Sequence, residues 1–490
     1  MGDYGDRARS TVSHLTAFTV LLPISCFYKV AKLQERKVDM NSLKELSAQR
    51  PLDIVVVGGS LAGLMCGIAL RHIGHKVTII EEDEDERQSH MAGVCLGPDA
   101  VEYVATHDRL EKSFTHRSLR VQALKSAQSV QIFFNARREI TSWDTYYFRL
   151  RAIFDQYTSS YYPSPPQPFD TDGRSLYLCH KELIDLQKAK DGNGGMVLTV
   201  FDRQSKEVTQ SKADLVIGAD GPDSFIRSKY LPTVKREYVG YIAWRGTVLE
   251  SEVSSSTREI FKRSVTVHMM HRHHCIMYTI PGQNGSLEPG ERLLNFLWYT
   301  NETSSSVDEI MTDGIDGHKH HNLVPSGRVR KDIWSRQLER ARQEPLVEPF
   351  LEVMSKIQRP FIQVITEFCS SKASFEDGRV LLMGDALSLF RPHTAFSGTQ
   401  AAFHALKVEE YVRGKIGLRE WEEKMLRYSR LHFLQSIWWG KFYQHHIVSA
   451  LVAGCHYWWH CGIDKLKSWW NGEASLLRTG SYTVEEYLES

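Results

Sequence analysis

The chain has 490 residues, 42% hydrophobic and 24% charged, which suits a folded protein of two or three domains. Its 60 Lys and Arg nearly balance 59 Asp and Glu, so no basic footprint for nucleic acid is expected. The eight cysteines stand singly, with no C-x-x-C pair or disulfide-like spacing, which favours a reducing, cytoplasmic setting.

Residues 1–50 read as an N-terminal extension, disordered or weakly docked. The apolar run Leu15–Phe27 is broken by Pro23 and is shorter than the roughly 20 residues of a membrane-spanning helix. A membrane-surface anchor through this run is the alternative. From Leu52 the pattern sharpens. DIVVVGG is a buried strand ended by glycines, and LAGLMCGIALRHIG is a helix closed by Gly74. KVTIIEED is the next strand. These three make a β-α-β unit.

Farther along, Thr141–Phe154 predicts a helix capped by Thr141 or Ser142. A Pro-rich loop follows, then the strands ELIDLQ and MVLTVF around the turn KDGNGG. ADLVIGADGPDSFIR is a buried strand, a turn and a helix. Residues 236–365 change character, with aromatic-rich strands and few helical patterns, and they read as a separate sheet domain. Strand-turn-helix returns in GRVLLMGDALSLFRPHTAFSGTQ, and residues 431–490 form a helical, Trp-rich end.

The first turn, VVVGGSLAGL, matches the dinucleotide fingerprint G-x-G-x-x-G except that Ser60 replaces the middle glycine. Gly58 allows the tight turn and Gly63 the close packing of the helix. Gly59 and Ala62 complete the segment. The Ser60 hydroxyl can cap the helix or donate to a phosphate oxygen. Glu81, at the end of the second strand, can accept hydrogen bonds from ribose hydroxyls. Two further turns follow buried strands: Asp220-Gly221 and Gly384-Asp385.

These three motifs, in this order, resemble the FAD-dependent aromatic hydroxylases, a family of flavoprotein monooxygenases. VVGGS, TSWD, GYIAWRG and GDALSLFRPHTA are similar to the 2,6-dihydroxypyridine 3-monooxygenase-like fungal enzymes within it. The resemblance covers residues 52 to about 430. It implies an α/β fold: a Rossmann-type FAD-binding domain interwoven with a mixed β-sheet substrate domain, plus a helical C-terminal part. The FAD-binding domain would comprise residues 51–235, including some substrate-domain strands, and 366–430. The substrate sheet would span 236–365.

The resemblance also implies roles. Asp385 would hold the ribityl chain of FAD, Asp220 and Gly221 would join cofactor contacts, and Pro392 would lie beside the flavin ring. Arg149 or Arg151 would reach the cofactor from their helix. A helix starting near Phe396–Thr399 would aim its N-terminus at the cofactor. NADH or NADPH would reduce the flavin without a Rossmann domain of its own. Oxygen would form a flavin C4a-hydroperoxide that hydroxylates a phenol or hydroxypyridine-like ring. Epoxidation or oxidation of a larger secondary metabolite is the alternative reaction, and a non-enzymatic FAD-binding descendant the alternative class. His393 and Tyr241 are candidates for the base that removes a phenolic proton, with His268 behind them, and Arg245 could hold an anionic substrate. Trp244 reads as core. The runs His268–Cys275 and His318–His321 lack the four converging ligands of a structural metal site, so no metal is expected. A homodimer is left open.

Overall fold

Strand Asp53–Val57 runs inside a six-stranded sheet, between Leu215–Gly218 and Lys76–Ile80. Ser175–Leu178 extends one side and Val380–Leu382 the other, all parallel, with Ser374–Phe375 antiparallel at the edge. The computed structural model describes residues 50–84, 92–126, 129–190, 194–344, 346–472 and 475–476. The apolar run Leu15–Phe27 and the middle of the KDGNGG turn, residues 191–193, lie outside them.

The strands are β-branched and apolar because both faces of the sheet are covered, by helices and by a small three-stranded sheet whose Leu183, Leu186, Leu198 and Val200 join the same core. Helix Leu61–His72 buries Leu64, Met65, Ile68 and Ala69 and packs against helices Trp143–Asp155 and Ser397–Val412. It ends where expected: Gly74 has φ +91° and donates its N–H to the Arg71 carbonyl at 2.9 Å. Of the two candidate caps for helix Trp143–Asp155, Ser142 does the work, accepting from the Thr145 amide at 3.2 Å.

A second, ten-stranded mixed sheet includes Glu237–Leu249, Ser264–Met270, His273–Ile280, Leu293–Asn301 and Phe361–Cys369. It is wider than the aromatic-rich region. Strands His116–Ser126 and Ser129–Ser142, from the first half of the chain, join it through parallel pairing of Val121 with Val265. Strand Phe361–Cys369 runs across the expected boundary at 365. Helices Lys331–Gln343 and Glu348–Lys356 cover the sheet where few helices were expected. Their apolar residues Trp334, Phe350 and Val353 pack on Phe296 and Trp298. A small three-stranded sheet contains ELIDLQ and MVLTVF, as the sequence predicts.

The C-terminal part is a helical hairpin, Leu418–Gln444 and Ile447–Asn471, joined by His445 and His446. The hairpin docks on the large sheet through Gln444, whose side-chain amide lies 3.0 Å from His274 Nδ1. No helix among the described residues is long and apolar enough to cross a membrane.

Candidate active site

The fingerprint turn is closed around its glycines. A Cβ on Gly58, which has φ +98°, would lie 2.3 Å from the Ala219 carbonyl oxygen, and one on Gly63 would lie 1.9 Å from that of Gly58. Both positions therefore demand glycine. Ser60 sits at the N-cap of helix Leu61–His72, but its side chain makes no cap bond, so capping does not explain the serine. Glu81 braces the turn. Its carboxylate accepts from the Gly59 amide at 2.6 Å and the Asp83 amide at 3.1 Å.

The other two motifs converge on this turn through the sheet. Ala219 donates its amide to the Val57 carbonyl at 2.9 Å, and Met383 donates to Gly218 at 3.0 Å. Gly384 then abuts Ala62, where an added Cβ would come within 2.8 Å of the alanine methyl. The Gly384 amide is held by Nδ1 of buried His404 at 2.9 Å.

Two carboxylates mark the cleft. Oδ1 of Asp385 and Oδ1 of Asp220 are both buried without a hydrogen-bond partner. Burial raises both acids, Asp385 to about 6. A buried polar atom left without a partner is costly, and such atoms mark places where a ligand's donors belong. Gly221, with φ +70°, has open space where a side chain would stand. These features fit a polyhydroxylated dinucleotide such as FAD.

Beside the cleft lies a cavity of about 640 Å³, walled by the large sheet, the loop Pro392–Gly398 and the first helix of the C-terminal hairpin. Pro392 and His393 form a single 3-10 turn at its edge, and helix Ser397–Val412 starts there, its first residues lining the cavity. Arg245 also lines it. Its guanidinium donates to Gln363 Oε1 at 3.0 Å and lies over the Phe361 ring, and among the described residues no carboxylate forms an ion pair with it.

Tyr241 is fully buried behind His393, its hydroxyl 2.7 Å from Nε2. Burial, reinforced by Arg391, lowers His393 to about 3. Arg391 is itself locked to Glu367 by bonds of 2.6 and 2.9 Å.

Other sequence candidates sit elsewhere. Arg149 is turned into the protein: it pairs with Asp108 at 2.7 and 2.9 Å, donates to the Lys112 carbonyl at 2.7 Å, and lies over the Phe114 ring. Its donors are spent in an internal ion pair. Arg151 bonds Asp155 and the Tyr147 hydroxyl. Its guanidinium also lies over the Tyr177 ring, and the Tyr177 hydroxyl donates to the Gly59 carbonyl of the fingerprint at 2.9 Å. His268 faces away from the cavity. Val265, Val267 and Met269 line it, so strand alternation turns His268 to the opposite face, where Nδ1 meets the Leu124 carbonyl at 2.8 Å. Trp244 is core, its indole N–H donating to Thr300.

Sequence reasoning missed Arg138, Tyr299 and Tyr443, which all line the cavity. Arg138 comes from strand Ser129–Ser142, and its Nε is buried without a partner.

A parallel sheet with a glycine fingerprint, two buried carboxylates beside it and a separate sheet-walled cavity suit an FAD-dependent monooxygenase of the aromatic hydroxylase type, and the proteins similar to this chain point the same way. Residues 53–125 match the family of pyridine nucleotide-disulphide oxidoreductases, and residues 238–367 match the FAD binding domain-like family. The chain is similar to 2,6-dihydroxypyridine 3-monooxygenase of Paenarthrobacter nicotinovorans, at 28% identity over 386 residues, 76% of this chain and 87% of that protein. The solved structure of 2,6-dihydroxypyridine-3-hydroxylase from Arthrobacter nicotinovorans superposes with a TM-score of 0.68 at 25% identity, covering 81% of this chain and 93% of that one. HpxO of Klebsiella pneumoniae, solved with FAD and uric acid, shares the fold at 17% identity with a TM-score of 0.60, covering 84% and 92%.

Proposed function

We propose that the chain uses NAD(P)H and O2 to hydroxylate an electron-rich aromatic or heteroaromatic ring bearing an ionisable hydroxyl. The observation that carries this reading is the cavity beside the cofactor cleft, where apolar walls surround Arg245, Arg138 and His393, which Tyr241 backs from behind. A flat ring fits the walls, and a cation facing into an apolar space favours an anionic substituent. Bound FAD supplies the redox chemistry: it takes electrons from the nicotinamide and activates oxygen.

The protein's own residues do the rest. Gly58, Gly59, Ser60, Ala62 and Gly63 would cradle the pyrophosphate, and Glu81, which braces the turn, would meet the adenosine ribose. Asp385 would accept from the ribityl hydroxyls, with Asp220 and Gly221 beside it. Pro392 would stand beside the flavin. Arg245 orients the substrate, and His393, backed by Tyr241, holds its phenolic proton. The aromatic walls exclude water, which protects a reactive oxygen species from loss.

The test is incubation of the purified protein with NADPH and a panel of phenols, hydroxypyridines and quinolones under labelled oxygen. Substrate-stimulated NADPH consumption with one labelled oxygen in the product is expected. NADPH consumption with an unlabelled, oxidised product would move the assignment to an oxidase. A protein that neither purifies with FAD nor can be reconstituted with it would overturn the reading.

A further inference from the structure

Helix Ile447–Asn471 leaves an apolar face uncovered along its whole length. Its inner face, with Ala450, Ala453, Tyr457, Cys461 and Ser468, packs against helix Leu418–Gln444. The outer face carries Ile447, Val448, Leu451, Val452, Trp458, Trp459, Leu466, Trp469 and Trp470, all exposed. Trp459, Trp469 and Trp470 expose 70%, 76% and 83% of their surface. At 1.5 Å per residue the 25-residue helix makes a stripe roughly 37 Å long. Contiguous apolar surface on that scale marks an interaction site.

We infer that this face lies in the plane of a lipid surface rather than against another protein. The charges on the helix favour this occupant. Its one carboxylate, Asp464, is buried and bonded to Arg427 at 2.6 Å, so no anion on the helix faces outward. Its exposed charges are Lys465 and Lys467, the latter 3.3 Å from Glu423 on the neighbouring helix. Indoles flanked by lysines suit the headgroup boundary, where the ring body is buried and its N–H stays near water. The helix does not span the membrane, since its inner face is already committed to the hairpin through polar contacts. Gln435, for example, donates to the Tyr457 hydroxyl at 3.1 Å.

One end of the stripe reaches the mouth of the cavity. Ile447 shares a groove with Phe442 and Met269, and those two also line the cavity. The exposed Phe133 and Phe134 stand at the same mouth. Docking on lipid would therefore set the cavity entrance at the bilayer surface.

The experiment is vesicle flotation of the full-length, FAD-loaded protein, using an equimolar mixture of phosphatidylcholine and phosphatidylserine and, separately, phosphatidylcholine alone. The protein should float with both, more strongly with the anionic mixture, and its tryptophan emission should shift to the blue. The double variant Trp459→Glu, Trp470→Glu should lose roughly tenfold in vesicle affinity per indole. Its FAD content and melting temperature should match the parent, since neither ring supports the core. Three outcomes would overturn the inference. The parent protein could stay in the aqueous fraction. The double variant could float as well as the parent, placing any anchor elsewhere in the chain. Or sedimentation could show a vesicle-free dimer that the double variant dissociates, assigning the face to a second copy.

Discussion

The Tyr241 hydroxyl and His393 Nε2, 2.7 Å apart, make one unit of the two residues that sequence reasoning offered as rival bases. The Arg391 guanidinium bears on the same hydroxyl. With the imidazole proton on Nε2 and donated to the Tyr241 oxygen, the buried and unpartnered Nδ1 keeps the lone pair that can take a substrate proton. Burial keeps the imidazole neutral down to about pH 3 and raises the Tyr241 phenol far above its usual range. The pair is therefore uncharged at neutral pH. It becomes a useful base only where the proton moves from the substrate hydroxyl to Nδ1 and the phenolate left behind offsets the charge of the buried imidazolium.

His393→Ala should cut turnover roughly 10²–10⁴-fold while reducing bound FAD much less. If the imidazole holds the substrate proton, the deficit should shrink at high pH, where the phenol ionises unaided. A deficit constant with pH, with more reduced flavin lost as peroxide, would show that the ring only shapes the turn. Rates and peroxide yield measured across pH separate the two.

Asp385→Ala should weaken FAD binding about tenfold to a hundredfold, because bonds to a charged acceptor are worth roughly 1.5–3 kcal/mol. Equilibrium dialysis of released cofactor reads this directly. The apoprotein should respond in the opposite sense. The folded carboxyl is raised to about 6 from an ordinary 3.8, so between these values the native state binds more protons than the unfolded one. This group therefore stabilises the apoprotein as pH falls through that window, and Asp385→Asn should remove its contribution from the melting profile.

Arg149→Met should destabilise the fold by about 3 kcal/mol or more, since it leaves Asp108 largely buried without its cation. Its FAD stoichiometry at low temperature should match the parent. A variant that melts normally but loses FAD would return Arg149 to the cofactor site.

His404 and His432 lie buried between helix Ser397–Val412 and the C-terminal hairpin, lowered by burial to about 3 and about 4. Between the unfolded value of 6.5 and these folded values, the unfolded chain binds more protons. Stability therefore falls on acidification through this window, by about 1.4 kcal/mol per pH unit for each group. His404→Asn, which can still accept from the Gly384 amide, should flatten the decline in melting temperature between pH 6.5 and 4.

The glycine turns were legible because backbone geometry dictates them. Gly58 and Gly63 have no room for a Cβ, and the strands leading to them are short apolar runs. The cavity was only half legible. Pro392 and His393 follow a recognisable turn, but Arg138, Tyr299 and Tyr443 meet there from two strands and a helix far apart in the chain. No local pattern announces such a meeting. The pairing of Arg149 was hidden for the same reason, since its partner Asp108 lies 41 residues upstream, just past the end of helix Pro98–His107. Helices Lys331–Gln343 and Glu348–Lys356 were hidden among short, strongly charged stretches in which few apolar positions face the sheet.

The parallel sheet also sets an order of events during synthesis. Strand Asp53–Val57 leaves the ribosome early, but Val380–Leu382, which reaches it through Leu215–Gly218, comes far later. Asp385 and the start of helix Ser397–Val412 emerge later still. Pairings this distant in sequence are slow to form and leave their apolar strands waiting. A nascent chain halted before residue 380 holds the fingerprint turn without the rest of its cleft. Ribosome-bound chains of increasing length should therefore acquire flavin fluorescence in one late step, and the first half of the sheet would depend on chaperones until then.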